Sequence, residues 1–260
     1  MTPTAEDLFA PTPQGRIFAR RWGEADGGAP IVLLHDSLGC VELWRDFPAK
    51  LAAETGRSVV AYDRLGFGRS DPHPGALSLD FIREEAETTL PRLMAALGIE
   101  RVALFGHSVG GAMAVAASAA LPGQIEAVIT ESAQAFIEER TLSSIAEART
   151  AFRAPDQIER LARYHGDKAK WVLDAWTETW LSQGFASWSL DEELGRLYCP
   201  VLAMHGDRDE YGSTAFPERI ARLAQGAAEM VIFENCGHVP HREQPDAVLK
   251  AVTGFLGGLR

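Results

Sequence analysis

The chain has 260 residues, 46% hydrophobic and 23% charged, a make-up that suits a soluble globular protein with one large core, or a core carrying an insertion. Its net charge of −11 argues against nucleic acid or an anionic membrane surface as a partner. No stretch approaches the roughly 20 apolar residues that a membrane span needs.

Cys40, Cys199 and Cys236 are widely spaced and odd in number, which fits neither a zinc motif nor a disulfide framework and favours a reducing compartment. Residues 1–10 lack both a basic start and an apolar run, so no signal peptide is expected and the protein reads as cytoplasmic.

In chain order, residues 16–22 alternate as an early, half-buried strand does. Residues 31–34, after Pro30, form a continuous apolar run of the kind found in a strand covered on both faces. Similar runs follow at 58–62, 102–105, 128–129, 201–204 and 230–233. Between them lie helical patterns. The first is 79–97, which Ser78 could cap and Gly98 could end, with Pro91 predicting a break or kink; the alanine-rich 112–121 is the second. This alternation predicts an α/β protein with a mostly parallel central sheet and helices on both faces.

The regularity fails over 132–196, which holds Trp171, Trp176, Trp180 and Trp188 and shows no strand pattern. Leu161, Tyr164, Lys168, Trp171, Leu173 and Trp176 fall near helical spacing, interrupted at Gly166. The expected organisation is therefore a core of 1–131 and 197–260 with a helical insertion of 132–196.

The strongest chemical signal is Gly106-His107-Ser108-Val109-Gly110, entered from an apolar strand and left by a helix. That context suits a nucleophile elbow: a sharp turn presents the Ser108 hydroxyl above a helix N-terminus, and small neighbours let the chain segments approach. Serine needs a base. Of seven histidines, His238 follows the last strand in a Gly-bearing loop and is the best candidate, with His241 as the competing choice. His107 should point away from the hydroxyl. His35 and His205 end strands and suit structural or oxyanion-loop roles, whereas His73 and His165 suit solvated or substrate-lining ones. The acid that orients the imidazole is sought in Asp207-Arg208-Asp209-Glu210, with Asp209 first, Asp207 next and Glu210 last. Oxyanion donors are expected from the Val109 amide and from the loop after residues 31–34, through Ser37 or Leu38.

These motifs together resemble the α/β-hydrolase superfamily over nearly the whole chain. Residues 63–70, Asp-Arg-Leu-Gly-Phe-Gly-Arg-Ser, resemble the family's D-x-R-G-x-G-x-S loop in a frequent variant. Gly206 to Asp209 resembles its G-x-x-D acid motif, which ranks Asp209 above Asp207. Gly237-His238 with Glu243-Gln244-Pro245 resembles its C-terminal signature. The resemblance implies a Ser108–His238–Asp209 triad with Ser37 and Val109 amides as the oxyanion hole, and it makes 132–196 a helical cap. One departure is Asp36, where the family usually has glycine. A carboxylate facing a forming oxyanion is unfavourable, so Asp36 is expected to point away.

The function this implies is cleavage of a carboxylic ester of a small molecule through an acyl-enzyme. The same triad also serves carbon–carbon cleavage of dienoates, lactones, thioesters, amides and cofactor-free perhydrolysis. Ser108 argues against epoxide hydrolases and haloalkane dehalogenases, which carry aspartate at the elbow. A small-molecule receptor built on this fold is the non-enzyme alternative, and a broken triad would favour it; no candidate member is missing. Leu38, His107, Phe136, Trp176, Trp180 and Val239 are candidate substrate contacts. The insertion's rings, Phe136, Tyr164, Trp171, Trp176, Trp180, Phe185 and Trp188, could line an apolar pocket, but most of them are expected simply to pack the cap onto the core. No cofactor and no metal are expected, and the oligomeric state, monomer or homodimer, is open.

Overall fold

The continuous apolar runs form the interior of one eight-stranded sheet in the computed structural model, which describes residues 4–24 and 28–259. Residues 1–3, the start of the stretch read for a signal peptide, lie outside the described residues. The strands are β1 (Ala5–Thr12), β2 (Gly15–Trp22), β3 (Ile31–Leu34), β4 (Val59–Tyr62), β5 (Val102–His107), β6 (Ile125–Glu131), β7 (Val201–Gly206) and β8 (Ala228–Phe233). Their spatial order is β1-β2-β4-β3-β5-β6-β7-β8. β2 is antiparallel to β1 and to β4, and every later pairing is parallel.

All residues of β3, β4, β5 and β7 are buried, and successive side chains enter opposite cores. Val32, Leu34, Val60, Tyr62 and Leu104 join one core; Ile31, Leu33, Val59, Ala61 and Phe105 join the other. Coverage on both faces is why these strands read as unbroken apolar runs.

The helices are α1 (Phe47–Thr55), α2 (Phe81–Glu84), α3 (Leu90–Ala96), α4 (Val109–Ala120), α5 (Glu139–Ala151), α6 (Pro155–His165), α7 (Ala169–Trp180), α8 (Asp191–Leu194), α9 (Ala215–Leu223), α10 (Pro240–Glu243) and α11 (Pro245–Gly258). α1 and α11 cover one face, whereas α2, α3, α4, α8 and α9 contribute to the core on the other.

The helix expected over 79–97, with a break or kink from Pro91, is three pieces, α2, a π-helical turn at Glu85–Thr89, and α3. Pro91 lies in the first turn of α3, and the chain widens where its ring would crowd the carbonyl four residues back. Ser78 is not the capping residue. Its Oγ accepts from Asp80 N (3.1 Å) and donates to Glu84 Oε1 (2.7 Å), and Asp80 occupies the cap position. Between β6 and β7 the chain is helical, with one isolated antiparallel bridge, Phe136 to Ser189, that the sequence did not signal. The interruption at Gly166 is a 3-10 turn, Gly166–Lys168, between α6 and α7.

Leu104 has no exposed surface. Leu104→Ala should lower the unfolding free energy by about 2–5 kcal/mol in a urea titration, whereas Met230→Ala, at a side chain that is 46% exposed, should change it by less than about 0.5 kcal/mol.

Candidate active site

β5 passes into α4 through Ser108 alone, whose φ of 55° and ψ of −125° are strained for a residue with a side chain. Such a conformation costs about 1–3 kcal/mol and persists only where the surroundings impose it. Here the constraint is close packing. A Cβ at Gly106 would lie 2.1 Å from Gly110 O, and one at Gly110 would lie 2.1 Å from Leu34 O. Ser108 N donates to Glu131 O (2.8 Å), which ties the turn to β6. The hydroxyl sits 3.3 Å from both Oε1 and Nε2 of Gln134, so its hydrogen-bond partner is this amide rather than a histidine.

His238 Nδ1 lies 2.9 and 2.8 Å from the two carboxylate oxygens of Asp209. Burial resists protonation of His238, but the charge and hydrogen bond of Asp209 outweigh it and raise the imidazole above its ordinary value. Burial likewise opposes ionisation of Asp209, yet His238 and the Tyr211 amide (2.7 Å) hold its carboxyl below the usual range. His205 Nε2 lies 3.3 Å from Asp209 Oδ2. Asp207 is exposed and turned away, accepting from Cys236 N (3.2 Å), and Glu210 is exposed. Of the clustered acids, only Asp209 meets His238.

The loop that carries Asp209 is gripped by the start of α5. Thr141 Oγ1 donates to Tyr211 O (2.6 Å) and Ser144 Oγ to Glu210 O (2.6 Å). Arg140 Nη1 donates to Asp209 O and Gly212 O, and Glu138 accepts from Ser213 N (3.0 Å). His165, expected to be solvated or substrate-lining, is buried instead. It accepts from Gly68 N at Nδ1 (2.9 Å) and lies 3.0 Å from Leu38 O at Nε2, fastening α6 to the core loops. His35 Nε2 accepts from Arg64 N (3.1 Å), a structural bond at the start of the loop after β3.

His241, whose Nδ1 is paired with Glu131 Oε2 at 2.5 Å, does not line the pocket that holds Ser108 and His238. His107 Nε2 donates to His238 O (2.8 Å), and burial pushes its pKa down to about 4. The sequence showed no ligand spacing, yet His107, Glu131 and His241 offer donor atoms within 4.8 Å of one another. The hydrogen bond to His238 O and the His241–Glu131 pair already occupy atoms of all three. The three thiols are poor nucleophiles: burial pushes Cys40 and Cys236 to about 12 and Cys199 to about 11.

Ser108, His238, Ser37 and Leu38 line one small cavity of about 90 Å³. Trp176, Trp180, Ile145 and Tyr211 supply its apolar wall, and Gln134 and Thr141 its polar one. His107, Phe136 and Val239 do not line it: His107 is turned to the His238 carbonyl, and Phe136 packs on Phe216 with ring centroids 5.0 Å apart. Val239 has its amide bonded to Glu243 (3.1 Å) instead. Asp36 is among the residues that line this cavity, and its Oδ1 stands 3.9 Å from His107 Nδ1. A larger cavity of about 400 Å³ beside Arg64 and Glu85 includes none of Ser108, His238 and Asp209. Gln134, Thr141, Ile145 and Tyr211 carried no signal in the sequence, since only the tertiary fold brings them over Ser108.

Residues 31–251 match the model of the alpha/beta hydrolase family. Serine hydrolase BPHL of Homo sapiens is 30% identical over 241 residues, covering 89% of this chain and 80% of the human protein. A 2-hydroxy-6-oxononadienedioate/2-hydroxy-6-oxononatrienedioate hydrolase of Paraburkholderia xenovorans is 26% identical, over 88% of this chain and 87% of its own. Among solved structures, the enol-lactonase from Burkholderia xenovorans superposes with a TM-score of 0.74 at 23% identity, covering 96% of this chain and all of that one. The chain belongs to the alpha/beta hydrolase family, and by that membership it is a hydrolase. Among the described residues, no helix is long and apolar enough to cross a membrane.

Glu131 is fully buried, and its carboxylate is hydrogen-bonded to His241 Nδ1. Glu131→Ala should cost about 1–3 kcal/mol of stability in denaturant unfolding, because it leaves a buried ring nitrogen without its partner.

Proposed function

We propose that the protein cleaves a carboxylic ester, or a closely related acyl bond, of a small molecule through Ser108, His238 and Asp209. The observation that carries this reading is a single pocket. It holds a serine forced to φ 55° at a helix start, and a histidine whose other ring nitrogen is bound to a buried aspartate. The Ser108 hydroxyl turns from Gln134 towards His238 Nε2 and gives up its proton as Oγ bonds to the substrate carbonyl carbon. The amides of Val109, at the first position of α4, and of Ser37 receive the oxyanion; the first N–H groups of a helix have no intrahelical acceptor. Protonated His238 then passes its proton to the departing alkoxide, and water repeats the cycle to free the acid and restore Ser108. Residues 132–196 serve as a cap over the site, through Thr141, Ile145, Trp176 and Trp180 on the pocket wall. The small cavity suits a short acyl group. The dicarboxylate that names the Paraburkholderia relative fits poorly, since the pocket's charged or titratable side chains are Asp36, Tyr211 and His238.

A fluorophosphonate probe should add once to the purified protein and not to Ser108→Ala, as read by intact mass. A folded parent that takes no adduct and turns over no small ester would sink the proposal. The pH profile offers a second check. His238 must be neutral to accept the proton, so kcat/KM should fall as pH drops through its pKa, with the midpoint above the ordinary value of 6.5. Asp209→Asn should move that midpoint down and lower kcat by about 10⁴.

A further inference from the structure

We propose that the catalytic pocket takes an acyl group bearing a positive charge, an ammonium seated between Asp36 and the rings of Trp176, Trp180 and Tyr211. The proposal rests on the hydrolase reading above for its chemistry, and on the pocket's charge for its specificity.

Asp36 lines the same small cavity as Ser108 and is half-buried, its side chain 32% exposed. Among the described residues its carboxylate makes no ion pair with lysine or arginine. Arg64 donates to the Asp36 backbone carbonyl (2.9 Å), not to the carboxylate, and Arg242 gives its Nη2 to Leu43 O. The basic group nearest to it is His107, at 3.9 Å, which burial keeps neutral near pH 7. Burial opposes ionisation of Asp36 itself, but the surrounding imidazoles and Arg242 outweigh it and hold the carboxyl below its ordinary range. The pocket is therefore bordered by an anion that has no lysine or arginine at ion-pair distance, and a bound cation would supply that close partner.

The aromatic lining of the cavity suits the same ligand. Trp176, Trp180 and Tyr211 line the cavity, and Trp176 and Tyr211 are packed edge-on with centroids 5.9 Å apart. Aromatic rings attract cations within about 6 Å of the ring centre. The pocket contains no lysine or arginine that would oppose an ammonium or hold a carboxylate.

The chemistry sharpens the preference. Asp36 precedes Ser37, whose amide is assigned to the oxyanion, so with a neutral acyl group bound its negative charge disfavours the developing oxyanion. With an ammonium bound, that field is offset, so charge selection enters kcat as well as KM. A carboxylate-bearing acyl group meets Asp36 directly and is disfavoured at both stages.

Three ethyl esters with one leaving group separate these cases: ethyl β-alaninate, ethyl butyrate and monoethyl succinate, with ethanol release measured at pH 7. The β-alanine and butyrate esters match in shape and differ in charge. For the wild type, kcat/KM should rank ammonium, neutral, carboxylate, with the first pair separated by about tenfold or more. In Asp36→Asn, the ratio of ammonium to neutral ester should collapse towards one. A wild-type ratio at or below one overturns the proposal, whatever the variant does, and so does a ratio that Asp36→Asn leaves unchanged.

Calorimetry on Ser108→Ala separates the pocket's charge preference from turnover. That variant should bind ethyl β-alaninate more tightly than ethyl butyrate, and the double variant with Asp36→Asn should not. Hydrolysis of all three esters without regard to charge would leave the hydrolase reading standing and this proposal overturned. Selective binding with no turnover of any ester would uphold the charge preference while removing the hydrolase reading.

Discussion

Everything at this site depends on how closely β5, α4 and the end of β3 approach one another. The contact is backbone against backbone: the Gly110 position lies against Leu34 O, and the Gly106 position against Gly110 O. No side chain fits at either position, so the turn between strand and helix is one residue long and Ser108 must take a left-handed φ. The strain is held by the packing of a buried parallel sheet, in which β3, β4, β5 and β7 are covered on both faces. The two cores on the sheet's faces are therefore what keeps a high-energy serine in place. The same crowding puts the hydroxyl over the start of α4, where amide donors are unpaired.

His238 and Asp209 are fixed by a mixture of contacts. They come from loops after β8 and β7, which approach backbone to backbone where a Cβ at Gly206 would lie 2.3 Å from Cys236 O and Gly237 O, and each is held further by hydrogen bonds. His107 supports the carbonyl of His238 from beneath, and the Tyr211 amide and His205 surround the Asp209 carboxylate. The buried His241–Glu131 pair sits behind them, with Trp44 tilted against His241 at 4.7 Å between ring centroids. Four imidazoles, His107, His205, His238 and His241, thus lie around one end of the sheet. Only His238 has both a carboxylate at one nitrogen and a place in the pocket with Ser108.

The central strands and the strand–turn–helix about Ser108 were legible from local pattern, unbroken apolar runs and two glycines about a serine, whereas the choice of Asp209 among three acids at a strand end rested on its resemblance to a family motif. β1 was not legible. Of its eight residues only Ala10 is buried, so Ala5–Thr12 has no apolar alternation, and Pro11 lies in an edge strand where its missing N–H is tolerated. β6 is longer than Val128 and Ile129 indicated, because its end carries Thr130 and Glu131. Those polar residues are buried only through pairing with distant chain, as Glu131 is with His241. Gln134 and Tyr211 belong to the pocket through folding alone. The direction of Asp36 was also beyond the sequence, since it depends on His107 and the Gly39 turn that it covers. Of the insertion's rings, Trp176 and Trp180 reach the pocket, while Phe185 stacks on Trp188 and Trp171 stacks on His73.

The grip of α5 on the loop after β7 limits how modular this architecture is. Glu138, Arg140, Thr141 and Ser144 belong by sequence to the segment between β6 and β7, the part of the chain that shapes the pocket wall. Yet they hold the backbone from Asp209 to Ser213. Grafting a foreign segment between β6 and β7 to alter the choice of substrate would also release the strut beneath the buried aspartate. The transplantable unit begins after Ser144, and the first turns of α5 have to travel with the core.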